Sequence, residues 1–203
     1  MDRNLSVGIF GGTFDPIHNG HIKLAKTAYE ELGLDKIIII PAYIPPHKTG
    51  KRITDESHRV NMTKIATEEY PFFEVSTIEI DRKGKSYTAD TLTTLKEQYN
   101  RLVFITGADS YMALDKWYRP NIIFEKAEIA CAYRDGIDRE ELCKKSEEYA
   151  ERYNGISHIL HMPDTDISST EIRELVSQDK SVEGLISDRV IEYIKDNKLY
   201  EEI

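Results

Sequence analysis

The sequence predicts an α/β protein: a Rossmann-like, mostly parallel sheet with helices on both faces. Two observations lead there. Apolar, partly β-branched runs alternate with helix-period stretches for most of the 203 residues. The first apolar run also passes through a Gly-Gly turn directly into a helix pattern, the opening of a strand–loop–helix unit. Right-handed crossovers then set the strand-to-helix loops along the carboxyl edge of the sheet, where ligands bind in such folds.

Taken in order, residues 5–10 read as a buried strand. The helix after Gly11-Gly12 carries Ile22, Ala25, Ala28, Tyr29 and Leu32 on one face and stops at Gly33. Residues 37–40 are a β-branched run too short for a helix, ended by Pro41. A loop with Pro45-Pro46 follows, then an amphipathic helix over about 55–70. Strands are predicted at 73–80, 102–106, 129–133 and 158–161, with helical segments between them and final helices at 169–177 and 188–196. Residues 138–153 place Leu142, Cys143, Ser146, Tyr149, Ala150 and Tyr153 on one face and charge on the other, the pattern of a solvated surface helix with no assigned role. With no repeat or Gly/Ser/Pro-rich linker, 1–203 reads as one domain whose small helical part begins at about 168.

Hydrophobic residues at 40% suffice for a core, and charged residues at 31% argue for solubility rather than disorder. No window approaches the roughly 18 apolar residues of a spanning helix, so no membrane role is expected. The N-terminus lacks a secretory pattern, and Cys131 and Cys143 have no CxxC spacing, so a reducing cytoplasm is the simplest home. The net charge of -9 speaks against nucleic acid as a partner. A phosphorylated substrate would need local donors or a metal ion to meet so acidic a chain.

The first strand runs into Gly8-Ile9-Phe10-Gly11-Gly12-Thr13-Phe14-Asp15-Pro16-Ile17-His18-Asn19-Gly20-His21. This is not GxGxxG, so a bound NAD cofactor is not indicated. Gly11-Gly12 permits close backbone approach to a ligand. His18 and His21 stand at i and i+3 at a helix start, where both imidazoles can face one point above backbone N–H groups suited to an anion. A plain glycine turn with two surface histidines is the alternative; zinc would need ligands that Asp15 alone does not supply, so no metal site is assigned.

Four further segments stand out. Ser168-Ser169-Thr170-Glu171-Ile172-Arg173 opens a helix as a capping box, yet a cation so near the positive end of the helix dipole is unexpected unless a polyphosphate docks there. Pro45-Pro46-His47-Lys48, with Lys51 and Arg52 close by, concentrates positive charge on a stiff loop. Gly107-Ala108-Asp109-Ser110 follows a strand, where Asp109 could accept ribose hydroxyls or cap a helix. Ser86-Tyr87-Thr88-Ala89-Asp90-Thr91 precedes a helix, and Trp117-Tyr118 holds the single tryptophan; a simple cap at Thr88 and a core role for Trp117 are the plainer readings.

The first stretch resembles the HxGH nucleotidyltransferase signature, and the ISSTEIR stretch its second half. Together with PPHK, SYTADT and KWY, the chain resembles bacterial nicotinate mononucleotide adenylyltransferases from Val7 to Arg173. That resemblance implies transfer of AMP from ATP to nicotinic acid mononucleotide, with Mg²⁺ arriving on the ATP. It implies catalytic roles for His21, His18, Arg173 and Lys48. Gly11, Gly12, Thr13, Phe14, Gly107, Asp109, Ser168 and Ser169 would join His18, His21 and Arg173 in binding ATP. Thr88, Trp117, Tyr118, His47 and Lys48 would bind the acceptor. Nicotinamide mononucleotide or another phosphorylated acceptor is the alternative substrate, and a nucleotide-binding regulator the non-enzyme alternative; a homo-oligomer stays open.

Overall fold

A computed structural model of the chain describes residues 4–46, 53–133, 139–162 and 167–201. β1 (Ser6–Gly12) leads to α1 (Asn19–Glu31), β2 (Lys36–Pro41) to α2 (Glu56–Thr67), and β3 (Phe73–Val75) to α3 (Ile78–Arg82) and α4 (Thr88–Lys96). Next come β4 (Arg101–Gly107), α5 (Ala108–Met112), a 3-10 turn at Leu114–Lys116, α6 (Pro120–Lys126) and β5 (Glu128–Tyr133). The chain continues through α7 (Arg139–Tyr153), β6 (Ser157–His161), α8 (Ser169–Ser177) and α9 (Asp188–Asp196).

The six strands form one sheet in the order β3-β2-β1-β4-β5-β6, and every pairing is parallel. The α/β Rossmann-like prediction is therefore met. Strand order reverses between β1 and β4, and a crevice opens at the carboxyl ends of the strands at such a switch point. The glycine-histidine stretch leaves β1 at that place.

Two cores account for the continuous apolar runs. Along β2, Ile37 and Ile39 point to one face and Ile38 and Ile40 to the other, all buried. Ile22 and Ala25 of α1, Met62 of α2, Ile172 of α8 and Val190 of α9 cover the first face. Leu92 of α4, Tyr111 of α5, Ile123 of α6 and Tyr149 of α7 cover the second. A strand buried on both sides cannot alternate apolar with polar residues, which is why these runs look uniform in sequence.

Two expectations need correction. The 73–80 strand ends at Val75. Ser76 N–H still donates to Ile39 O, but the Ser76 hydroxyl then accepts from Ile78 N–H and Thr77 Oγ1 donates to Asp81 Oδ2 at 2.8 Å. These local side-chain bonds turn the chain into α3. In α7 the predicted apolar face is narrower: Leu142 and Tyr149 are buried, whereas Cys143 and Ala150 are exposed. Tyr149 Oη donates to Tyr111 O at 2.7 Å, and Tyr153 stacks on Phe124 at 4.8 Å. That helix is a packed element of the second core as well as a solvated surface.

Candidate active site

At the start of α1, His18 is the N-cap, in extended backbone geometry. Its Nδ1 accepts from His21 N–H at 3.3 Å, while His21 Nδ1 accepts from His18 N–H at 3.2 Å. This is a capping box made of two imidazoles. The rings stack at 3.6 Å, so the pair is one rigid unit. Because each Nδ1 is an acceptor, each neutral ring carries its proton on Nε2, which is then a donor. Donors suit an anion; a metal would require the opposite tautomer. Among the described residues no group of three His, Cys, Asp or Glu side chains is placed to hold a metal ion.

Two glycines follow from this packing. A Cβ at Gly20 would come within 3.1 Å of His18 Nδ1, so a larger residue there would press on the imidazole. A Cβ at Gly12 would meet the Phe14 ring at 2.7 Å. Phe14 is buried with φ +50, and its ring lies edge-on to His21 at 5.1 Å. Its side chain supports His21.

The second half of the signature docks on the first. Ser168 caps α8 by accepting from Glu171 N–H at 3.1 Å. Ser169 Oγ donates to Pro16 O at 2.9 Å, and Arg173 Nη1 donates to Asp15 O at 2.7 Å and Ser169 O at 3.2 Å. The expected conflict between Arg173 and the helix dipole is thus resolved within the protein, by backbone carbonyls, and needs no polyphosphate. These bonds, with a 3.4 Å contact to Thr170 Oγ1, engage three of the five N–H donors a guanidinium has.

A cavity of about 310 Å³ opens beside this loop. Gly11, Gly12 and Thr13 line it from β1; Ala42, Pro45 and Pro46 line it from the loop after β2. Tyr87, Thr88, Trp117 and Tyr118 complete it, so the SYTADT and KWY segments meet at one place. Tyr87 stacks on Tyr118 at 4.2 Å, and Ser86 Oγ accepts from Tyr43 N–H at 2.9 Å. Trp117 is half-buried in the cavity wall, lying edge-on to Phe104, and is not a plain core residue. Thr88 is the first residue of α4, not its cap; the N-cap is Tyr87, with no side-chain cap bond.

Gly107 is the N-cap of α5, and Asp109 stands exposed in its first turn without a capping bond, which removes the capping alternative. His47 and Lys48, with Lys51 and Arg52, lie outside the described residues. His18, His21, Arg173 and Asp109 do not line the cavity; the loop from β1 joins the two regions.

Three residues escaped the sequence reading. Glu79, buried, lines the cavity and accepts from Thr91 Oγ1 at 2.7 Å. Arg59, buried, reaches Thr13 O at 2.9 Å and Ala42 O at 2.7 Å. Tyr200, also buried, donates to Asp15. Only Arg59 left a signal: a cation one helical turn before Met62 and Thr63, on the face that should be apolar.

Residues 9–175 match the family described as cytidylyltransferase-like. A protein of Thermoanaerobacter sp. (strain X514) named "Probable nicotinate-nucleotide adenylyltransferase" is 40% identical over 203 residues, covering 98% of this chain and 96% of its own. A protein of the same name from Clostridium perfringens (strain SM101 / Type A) is 43% identical over 196 residues, covering 96% and 97%. The solved structure of Plasmodium falciparum nicotinic acid mononucleotide adenylyltransferase complexed with NaAD superposes with a TM-score of 0.79 at 21% identity, covering 98% of each chain, a likeness of fold. With matches of that identity along nearly its whole length, the chain belongs to the cytidylyltransferase-like family and, within it, to the nicotinate-nucleotide adenylyltransferases.

Proposed function

We propose that this chain transfers the adenylyl group of ATP to nicotinic acid mononucleotide, forming nicotinic acid adenine dinucleotide and pyrophosphate. The observation that carries the reading is the shared cavity: the loop leaving β1 is one wall, and Thr88, Trp117 and Tyr118 are another. An oxygen of the acceptor's 5′-phosphate attacks the α-phosphorus in line, and the bond from that phosphorus to the α,β-bridging oxygen of ATP breaks, the oxygen leaving with pyrophosphate. A phosphate monoester is already largely dianionic at pH 7, its second pKa being about 6, so no general base is needed. Catalysis is then positioning plus stabilisation of developing charge.

In this reading His21 Nε2–H meets the α-phosphate and His18 the neighbouring phosphates, at the positive end of the α1 dipole. Arg173 and Lys48 offset charge on the departing pyrophosphate. Backbone from Gly11 to Phe14 borders the nucleotide, with Gly107, Asp109, Ser168 and Ser169 further along its path. Trp117 stacks on the pyridine ring, with Thr88, Tyr118 and His47 around it. Mg²⁺ enters as the ATP complex and keeps much of its water shell. No described helix is long and apolar enough to cross a membrane. The net charge of -9 speaks against nucleic acid, and small phosphorylated substrates in the cytoplasm are met instead by the local donors at the start of α1.

A second reading, transfer to nicotinamide mononucleotide, has one observation in its favour. The buried Glu79 carboxylate lines the cavity and could accept from an amide NH₂. Against it, α4 starts in the same cavity with uncapped backbone donors, which suit a carboxylate acceptor. Incubation with MgATP and a panel of phosphorylated acceptors, followed by pyrophosphate release, tests both. Nicotinic acid mononucleotide should lead with a kcat/KM advantage of roughly 10²-fold over the amide, the size of two unpaired polar contacts. A ratio near one would make the enzyme dual-specific; faster use of 4′-phosphopantetheine or glycerol 3-phosphate would overturn the acceptor.

A further inference from the structure

Arg59 is 1% exposed, yet among the described residues its hydrogen bonds go to backbone carbonyls and none to a carboxylate. Nε donates to Thr54 O at 2.9 Å, Nη1 to Thr13 O at 2.9 Å and Ala42 O at 2.7 Å, and Nη2 reaches Tyr43 O at 3.5 Å. Burial pulls its pKa down, opposed by the nearby Asp15 carboxylate. A buried charge held by neutral carbonyls is a costly way to fill space; an apolar side chain from α2 would pack there at less expense. What the guanidinium provides is a planar fork, with N–H groups aimed at several backbone carbonyls at once.

Those carbonyls belong to two different loops. Thr13 lies on the segment leaving β1, Ala42 and Tyr43 on the segment leaving β2, and both Thr13 and Ala42 line the 310 Å³ cavity. The phosphate-facing groups are held by other bonds: the His18–His21 cap, Ser169 to Pro16, and Arg173 to Asp15. We infer that Arg59 is a positioning residue for the acceptor, fixing the separation of the two backbone walls at Thr13 and Ala42 while leaving the phosphate pocket to its own supports. The inference rests on the acceptor reading above for its substrate, and on geometry alone for the clamp.

The test uses Arg59→Lys, which keeps the charge and loses the fork, and Arg59→Ala with and without methylguanidinium. Trp117, the only tryptophan, lines the same cavity and reports acceptor binding by fluorescence. In folded Arg59→Lys, kcat/KM for nicotinic acid mononucleotide should fall about 10²-fold and its fluorescence Kd should rise, while the KM for MgATP rises several-fold less, because only Thr13 of the clamped carbonyls also borders the nucleotide. Methylguanidinium should restore part of the acceptor affinity in Arg59→Ala. Equal losses for both substrates, no loss in a folded variant, or failure of both variants to fold would each reduce Arg59 to a stability determinant. If the unaltered chain releases no pyrophosphate with that acceptor, the functional reading fails separately. Acrylamide quenching of Trp117 in the unliganded proteins then decides the clamp: more quenching in Arg59→Lys supports it, unchanged quenching overturns it.

Discussion

Tyr200 Oη donates a hydrogen bond to Asp15 Oδ1 at 2.7 Å across 185 residues of sequence, and both groups are buried. Asp15 Oδ2 also accepts from Thr54 N–H at 3.2 Å, and its carbonyl accepts from Arg173. One aspartate in the loop after β1 therefore receives donors from the α2 entrance, from α8 and from the far end of the chain. Burial, reinforced by the Asp15 charge, pushes the Tyr200 hydroxyl pKa up, so it stays a donor at any working pH. Tyr200→Phe should cost about 1–2 kcal/mol, because it leaves a buried carboxylate oxygen short of a partner. The check is the urea midpoint at unchanged m-value; an unaltered midpoint would make the bond incidental.

His21 is held by its stack with His18 and by the Phe14 ring, so its orientation is set before any ligand arrives. His21→Ala should lower turnover by roughly 10²-fold or more, about 2.7 kcal/mol, with a modest loss of ATP binding. Steady-state kinetics separates the possibilities. Normal kcat with a raised KM for ATP would make His21 a ground-state binding group.

Arg173→Lys should be damaging twice over. The guanidinium bridges Asp15 O and Ser169 O through one nitrogen and reaches Thr170 through another, a geometry that an ammonium cannot copy. A fall in thermal stability together with a fall in kcat is expected. Lost stability with full kcat at a temperature where the variant is folded would leave Arg173 a brace for the loop only.

At the opposite, amino-terminal edge of the sheet, Arg101 Nε and Nη2 each donate to Glu128 at 2.9 Å, and His158 Nε2 lies 2.7 Å from Oε2. Arg101 chiefly, with help from His158, holds the Glu128 carboxyl down from its ordinary 4.5 to about 2. A depressed folded pKa means stability present above the unfolded value and lost as pH falls through the folded one. Glu128→Gln should therefore be less stable than the unaltered chain at pH 7. The difference should shrink between pH 4.5 and about 2. Thermal melts across that range provide the measurement; a gap independent of pH would mean that the ion pair contributes nothing through its charge.

Local patterns made much of this protein legible. Gly11-Gly12 and the His18–His21 spacing announced a glycine turn into a helix start with two adjoining imidazoles, because helix periodicity alone brings i and i+3 together. The β-branched run before Pro41 was a strand because nothing so short could be a helix. Over 73–80 the apolar pattern and serine-threonine chemistry compete, and the local hydrogen bonds of Ser76 and Thr77 end the strand at Val75.

By itself the sequence determined the parallel α/β class and the glycine-histidine loop at the start of the first long helix, since each depends on neighbours within a few residues. That SYTADT and KWY share a pocket was implied only by the family resemblance. Only the tertiary structure decided the rest. The strand order put β1 beside β4 and made its exit the switch point. Arg59 became a clamp because α2 packs so that its fork reaches the loops after both β1 and β2. Arg173 lost its apparent conflict with the dipole, and Tyr200 gained a role, because α8 and the chain's end close on Asp15. These bonds join backbone and side-chain groups far apart in sequence, and such partners exist only once the sheet has brought them within hydrogen-bonding reach.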